Sequence, residues 1–360
     1  MLSYFRRQDW LLNGAVFFLI GLGLLQIYSI SAGGLFPQQL LWAGLSILLI
    51  FVFLYTDWRA LISYRWIIVS IYLLAIALLI LTYFFAPSIR GIRSWLVVGP
   101  LRFQVSEFAK LALIIFFSYY FVRRHISIAR LSNIIRPFIY FAIPALLVFL
   151  QPDLGTVIVL FGIWVAFLLV SGLRLKHIAI GLVILAIVAG IGWTSVLADY
   201  QKERIIGLFQ PGYDPLGVNY STIQSKIAVG SAGLIGKGFG QGTQVQLGFL
   251  PESGTDYIFS SVMEEWGLLA GILVLAAFAV MLWRIIIIGL YAESNFYKFF
   301  CLGAASMFVL QFTINTGSAV GLLPVIGITF PFLSYGGSSL LINGIIIGII
   351  QSATVHKALS

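Results

Sequence analysis

Long apolar runs alternate with short polar connections along the whole chain. Windows close to the ~20 residues that cross about 30 Å of hydrocarbon fall at 11–31, 37–55, 66–86, 107–122, 137–151, 154–171, 177–197, 258–289, 297–317 and 336–354. This pattern predicts an all-α polytopic membrane protein of about ten transmembrane helices, because a bilayer leaves few other ways to satisfy backbone polar groups. No polar segment is broad enough to divide the spans, so 1–360 reads as one transmembrane domain. The first run lacks a cleavage-like end and reads as a retained helix. One connection breaks the rhythm. Residues 198–257 form a large polar loop before the eighth span, closing with Leu250-Pro251-Glu252-Ser253-Gly254-Thr255-Asp256-Tyr257. In a chain otherwise built for lipid, that loop is where chemistry is expected.

Composition agrees with the pattern. Of 360 residues, 61% are hydrophobic and 9% charged, against about 25% charged in a soluble domain. Arg6 and Arg7, Arg59 and Arg65, the group Arg123, Arg124, Arg130 and Arg136, then Arg174 and Lys176, Arg284 and Lys298, and Lys357 occupy alternate connections. The positive-inside rule makes those connections and both termini cytoplasmic. The net charge of +9 is largely this topology signal and calls for no nucleic-acid partner.

The cations on the other face are the informative ones. Arg90, Arg93 and Arg102 lie in the connection 88–104, and Lys202, Arg204, Lys226 and Lys237 in the long loop, where the rule would deplete them. An anionic ligand on the outer face follows, although pairing with Asp199, Glu203 and Asp214 accounts better for Lys202 and Arg204. Cys301 is the lone cysteine and forms no internal disulfide. His125, His177 and His356 all fall on the cytoplasmic side, so outer-face acid–base chemistry must use a carboxylate, lysine or tyrosine. A histidine-rich metal site or Ser-His-Asp triad is thereby excluded there.

Several ionisable residues fall in or beside spans, where a charge costs roughly 2.5–3.5 kcal/mol on insertion scales. Glu107 and Lys110 are three apart on one helix face, which suits a structural ion pair or a substrate contact equally. Asp153, in Gln151-Pro152-Asp153-Leu154-Gly155-Thr156, is placed to cap the following helix. Glu264 and Glu265 sit ~12 Å deeper than Asp256 by helical rise and must find donors or take up protons. The glycine-rich run Gly230–Gly242 fails both the Walker and the dinucleotide spacings, which leaves a flexible loop whose amides can approach a ligand and no nucleotide. Gly321–Pro324 and Pro331–Ser339 are uncharged but broken, as expected of backbone packed in protein or lining a wet cavity.

Four ordered stretches resemble the SEDS family of shape, elongation, division and sporulation proteins: Gly91–Lys110, Gln151–Thr156, Asp214–Asp256 and Gly321–Ser339. Gly242-Thr243-Gln244-Val245-Gln246-Leu247 looks more like the elongation (RodA) branch than the division (FtsW) branch. The resemblance implies a multi-pass protein of the bacterial cytoplasmic membrane, a glycosyltransferase that polymerises lipid II into peptidoglycan outside that membrane. It implies a class B penicillin-binding protein, a transpeptidase, as partner within the elongation machinery. Asp256 resembles the family's proposed catalytic aspartate, with Glu252 as the alternative base. Arg93, Arg102 and Lys110 are candidates for the substrate diphosphate, with Glu107 holding one of them, and a divalent cation, magnesium or manganese, could share that task. Asp153, Lys237 and Ser334 complete the candidate substrate-binding set. A lipid II flippase and a non-enzymatic scaffold for a transpeptidase remain the alternatives. The crowding of non-topological polar residues on the outer half favours the enzyme.

Overall fold

The computed structural model describes residues 7–357 except 32–33, 57, 59–63, 88–92, 100, 124–131, 171, 173–176, 178, 182, 184–186, 188–189, 191, 197–198 and 211–212. Its main elements are helices α1 (Trp10–Ile30), α2 (Phe36–Tyr55) and α3 (Arg65–Phe85), a hairpin of β1 (Trp95–Val98) and β2 (Leu101–Gln104), then α4 (Val105–Val122), α5 (Ser132–Leu150) and α6 (Leu154–Val170). The polar loop and the end of the chain supply α7 (Asp199–Phe209), α8 (Tyr220–Gly230), α9 (Thr243–Gln246), α10 (Ile258–Leu290), α11 (Asn295–Ala319) and α12 (Gly337–Lys357).

Seven of these helices are long and apolar enough to cross a membrane, and shorter apolar helices at Ile135–Leu150 and Leu154–Val170 match the fifth and sixth expected spans. The seventh expected span, 177–197, falls partly outside the described residues, and Arg59, Arg90, Arg124, Arg130, Arg174 and Lys176 fall wholly outside them. Within this helical fold the connection before α4 is an antiparallel hairpin with Val97 opposite Arg102. The 198–257 loop carries the three short helices α7, α8 and α9.

Exposed apolar side chains such as Trp66, Leu73, Phe84 and Phe85 cover the outside of the bundle, where lipid replaces water as their solvent. Small residues draw helices together inside it. A Cβ on Gly344 would lie 2.4 Å from Ser46 Oγ and one on Gly348 2.8 Å from the Ile50 carbonyl, so α12 meets α2 nearly backbone to backbone. At one end of the bundle Asp9 pairs with Arg284 and exchanges hydrogen bonds with Gln351. The hairpin, the Gln151–Thr156 motif, the turn before α10 and the broken 321–336 segment gather at the opposite end.

Candidate active site

The turn Glu252–Tyr257 delivers Asp256 to the start of α10. Its first residue takes a left-handed backbone, φ 53° at Glu252, and its carbonyl accepts the Thr255 and Tyr257 amides at 3.1 and 3.2 Å. The Glu252 carboxylate accepts the Thr255 hydroxyl at 2.9 Å, closing the turn on itself. Other elements then clamp it. Ser334 donates its hydroxyl to the Thr255 carbonyl at 2.7 Å, and the Tyr335 amide donates to Gly254 at 2.8 Å. From α11, Asn315 donates to the carbonyls of Asp256 (3.1 Å), Thr255 (3.4 Å) and Ile328 (2.8 Å). Asp256 thus stands on a backbone held from three sides while its side chain stays half-buried.

The same broken segment carries the hairpin. Ser338 accepts the Gln104 amide at 2.7 Å and donates to the Arg102 carbonyl at 3.3 Å. Residues 334–338 therefore tie the strand bearing Arg102 to the turn bearing Asp256. Arg93 and Arg102 are exposed at this end. Burial raises the Tyr335 phenol above its ordinary pKa, and the Arg102 guanidinium opposes that rise.

Glu107 and Lys110 do pair, at 2.7 Å, and lie 5% and 2% exposed. Lys110 therefore holds its charge within the bundle, against Glu107. Asp153 caps α6 as its position suggested, accepting the Thr156 amide at 3.0 Å and hydroxyl at 2.9 Å. It also accepts Ser106 at 3.1 Å and Gln104 at 3.3 Å, bracing the start of α4. Gln151 does likewise for the hairpin, accepting Ser94 at 2.8 Å and donating to the Leu79 carbonyl at 2.8 Å.

Lys237 and the two glutamates belong to a separate joint. The helix α10 breaks at Gly267, where φ is 82°, and the break removes the rungs from Leu268 to Glu264 and from Leu269 to Glu265. The glycine-rich loop replaces both. Leu268 and Leu269 donate instead to Gly233 and Leu234 at 3.0 and 3.2 Å, while the freed carbonyls of Glu264 and Glu265 accept the amides of Lys237 and Gly238 at 2.9 and 3.0 Å. Four backbone groups that would each cost several kcal/mol unpaired in hydrocarbon are satisfied this way. The glycines face one another because nothing larger fits: a Cβ on Gly236 would lie 2.2 Å from the Glu265 carbonyl oxygen. The amides of Lys237 and Gly238 are thus spent on the broken helix. The Glu264 carboxylate accepts Lys237 Nζ at 2.7 Å and the Gln244 and Val245 amides at 2.9 and 3.2 Å. Glu265 accepts Ser29 and Gln246 at 2.7 and 2.8 Å. Both carboxylates have found donors, and Lys237 is engaged by Glu264.

Beside Asp256 opens a cavity of about 130 Å³ whose polar lining includes Arg204, Lys226, Glu252 and Tyr257. Arg204 sits on α7 and Lys226 on α8. The two helices are fastened by Asn219, which donates to the carbonyls of Gly207, Gln210 and Tyr213 at 3.1, 3.3 and 2.8 Å. Arg204 donates to the Val325 carbonyl at 2.9 Å. Burial pushes the Tyr257 phenol up to about 12, so it is a neutral hydrogen-bonding group at physiological pH and no base. Asp256 and Glu252 are the carboxylates of this cavity. They match the one or two that usually hold magnesium together with substrate phosphates. Among the described residues no group of three or more His, Cys, Asp or Glu side chains assembles.

The expected site residues thus divide. Asp256, Glu252 and Ser334 come together at the turn, and Arg102 is linked to them through 334–338. Glu107, Lys110, Asp153 and Lys237 serve internal contacts. Asn315 was missed, although Gln311 and Asn315 at four-residue spacing in an apolar span mark one polar helix face.

Comparison with known proteins agrees with this architecture. A family model described as "Cell cycle protein", covering FtsW, RodA and SpoVE proteins, matches residues 10–359. The peptidoglycan glycosyltransferase MrdB of Escherichia coli K12 is 38% identical over 289 residues, covering 80% of this chain and 77% of that protein. Stage V sporulation protein E of Bacillus subtilis is 36% identical over 365 residues, covering 97% of each. Among solved structures, a chain of a peptidoglycan synthase complex that coordinates polymerization and crosslinking superposes with a TM-score of 0.82 at 30% identity, over 97% of this chain and 98% of that one. The crystal structure of the rod shape determining protein RodA from Thermus thermophilus superposes with a TM-score of 0.71 at 26% identity, over 96% of each. The match spans nearly every residue and every element that builds the site: the chain belongs to the FtsW/RodA/SpoVE family of multi-pass membrane proteins.

Proposed function

We propose that this chain is a peptidoglycan glycosyltransferase that polymerises lipid II on the outer face of the cytoplasmic membrane, with Asp256 as general base. The supporting observation is the clamped turn that presents Asp256 to a cavity containing two cations. The glycosyltransferase name carried by MrdB supports the activity. The alternation of basic connections supports an outward-facing site.

In the reaction, Asp256 takes the proton of the acceptor sugar hydroxyl as that oxygen attacks the anomeric carbon of the donor. The bond from that carbon to the undecaprenyl diphosphate breaks, and the electron pair leaves on the diphosphate. A positioned base of this kind contributes roughly 10²–10⁴-fold. Exposed Arg93 and Arg102 suit contacts to substrate phosphates, and a magnesium or manganese ion would join them through Asp256 or Glu252. Glu107, Lys110, Asp153, Lys237 and Ser334 act as positioning residues. A class B penicillin-binding protein is the proposed partner, in keeping with the polymerization and crosslinking complex among the similar structures. The elongation role follows the likeness to the MrdB and RodA proteins.

The test is Asp256→Asn in the purified complex with its transpeptidase and lipid II. Asparagine keeps the shape but cannot accept the proton, so polymer formation should fall at least about 100-fold, or about 2.7 kcal/mol in the barrier, while partner binding persists. Near-normal polymerisation by Asp256→Asn would remove Asp256 as the base.

A further inference from the structure

We infer that Arg204 and Lys226 bind the diphosphate as it leaves the donor sugar; the inference rests on the glycosyltransferase reading and assigns these two side chains within it. Both line the cavity that holds Asp256. An inverting displacement places attacking and leaving oxygens on opposite faces of one carbon, so one bound substrate must reach the base on one side and the leaving-group contacts on the other, and a single cavity that holds both answers that demand. Arg204 and Lys226 share such a cavity with Asp256, whereas Lys110 is buried in its pair with Glu107.

Arg204 is held by its bond to the Val325 carbonyl. The end of Lys226 packs over Gly321, where an added Cβ would come within 2.5 Å of Nζ. Gly321 itself has φ +73°, so a glycine is required there both for the turn and for the lysine head above it. Asn219 holds α7 and α8 at the separation that brings the two cations to one cavity.

Charge balance gives the pair a role confined to the reaction. Before it, Arg204 and Lys226 share the cavity with two carboxylates, Asp256 and Glu252. When Asp256 accepts the acceptor's proton it becomes neutral, at the same moment that the departing diphosphate gains negative charge. The two cations are then offset less by the protein and drawn more strongly to the leaving group. Stabilisation that grows along the reaction coordinate accelerates chemistry, whereas equal binding of substrate and transition state does not.

The experiment uses the full chain with its transpeptidase partner, lipid II as substrate and inorganic pyrophosphate as the binding probe. Lys226→Gln carries the case, because Arg204 also has a structural bond. The expected result is at least a tenfold loss of kcat, partial recovery in Lys226→Arg, and loss of the upward melting shift that pyrophosphate gives the parent complex. Arg204→Lys should lose kcat less than Arg204→Gln. Lys202→Gln, whose parent lysine lies 3.8 Å from Asp199 on the same helix as Arg204, should stay within twofold. A kcat for Lys226→Gln within twofold of the parent, or an unchanged pyrophosphate shift, overturns the assignment. If Asp256→Asn is inactive in the same series, the glycosyltransferase reading survives that failure; if the parent forms no glycan, that reading falls by itself and the pyrophosphate shift still decides the binding claim.

Discussion

Asn315→Ala tests whether the backbone under Asp256 is part of the catalytic apparatus. Asn315 is 1% exposed, and its amide nitrogen has two hydrogens to share among three carbonyls at 2.8, 3.1 and 3.4 Å. Truncation therefore removes about two hydrogen bonds and leaves buried acceptors unpaired, at ~1–3 kcal/mol each. The turn should not unfold, because Ser334 still holds the Thr255 carbonyl and the Tyr335 amide still holds Gly254. If about 1.4 kcal/mol of the loss is felt as misplacement of Asp256, kcat falls about tenfold. The assay is glycan formed per unit time at saturating lipid II, beside the melting temperature of the detergent-solubilised protein. A double variant sharpens it: once Asp256→Asn has removed the base, adding Asn315→Ala should cost almost nothing more, because both act through one group. Unchanged kcat in Asn315→Ala, or a full additional tenfold loss in the double variant, would refute the reasoning.

Lys110→Ala leaves the Glu107 carboxylate buried without its partner, a change worth roughly 3–5 kcal/mol. It should lower the melting temperature and the yield of folded protein and leave the lipid II dependence of the surviving fraction unaltered. Gly236→Ala pushes a methyl group into the Glu265 carbonyl and should sharply reduce the folded fraction on size exclusion, whereas Gly230→Ala, with nothing within 4 Å, should be silent. Tyr257 titrates only near 12 because burial disfavours its phenolate, so Tyr257→Phe should leave the shape of the pH–rate profile unchanged from about pH 6 to about pH 10.

Period and depth were readable from the chain; partners were not. The apolar windows located the helices because bilayer thickness sets their length, and Asp153 was legible as a cap because proline and aspartate act locally. The hairpin Trp95–Gln104 escaped because four-residue strands carry little periodicity and this one depends on Ser338, 234 residues beyond Gln104. The side of the membrane on which Lys237 falls points to substrate but says nothing of its neighbour Glu264, which is 27 residues on and becomes reachable because the glycine loop folds back across the Gly267 break. Arg204 and Lys226 were counted as outer-face cations, yet their meeting at Asp256 depends on how Asn219 joins two loop helices.

The fate of the buried charges also bears on the choice between enzyme and carrier. A path for a lipid headgroup through the bundle would need polar side chains able to exchange one partner for another as the substrate passes. Glu264 and Glu265 instead spend their oxygens on Lys237, on the amides of Gln244 and Val245, and on Ser29 and Gln246, the contacts that hold the broken helix to its loop. Asp153 is occupied by the start of two helices, and Lys110 by Glu107. Opening such a path would strip these groups in a medium where each lost partner costs several kcal/mol. Asp256, Arg204 and Lys226 instead line a cavity at one end of the bundle. That distribution suits chemistry at a single face better than movement across both.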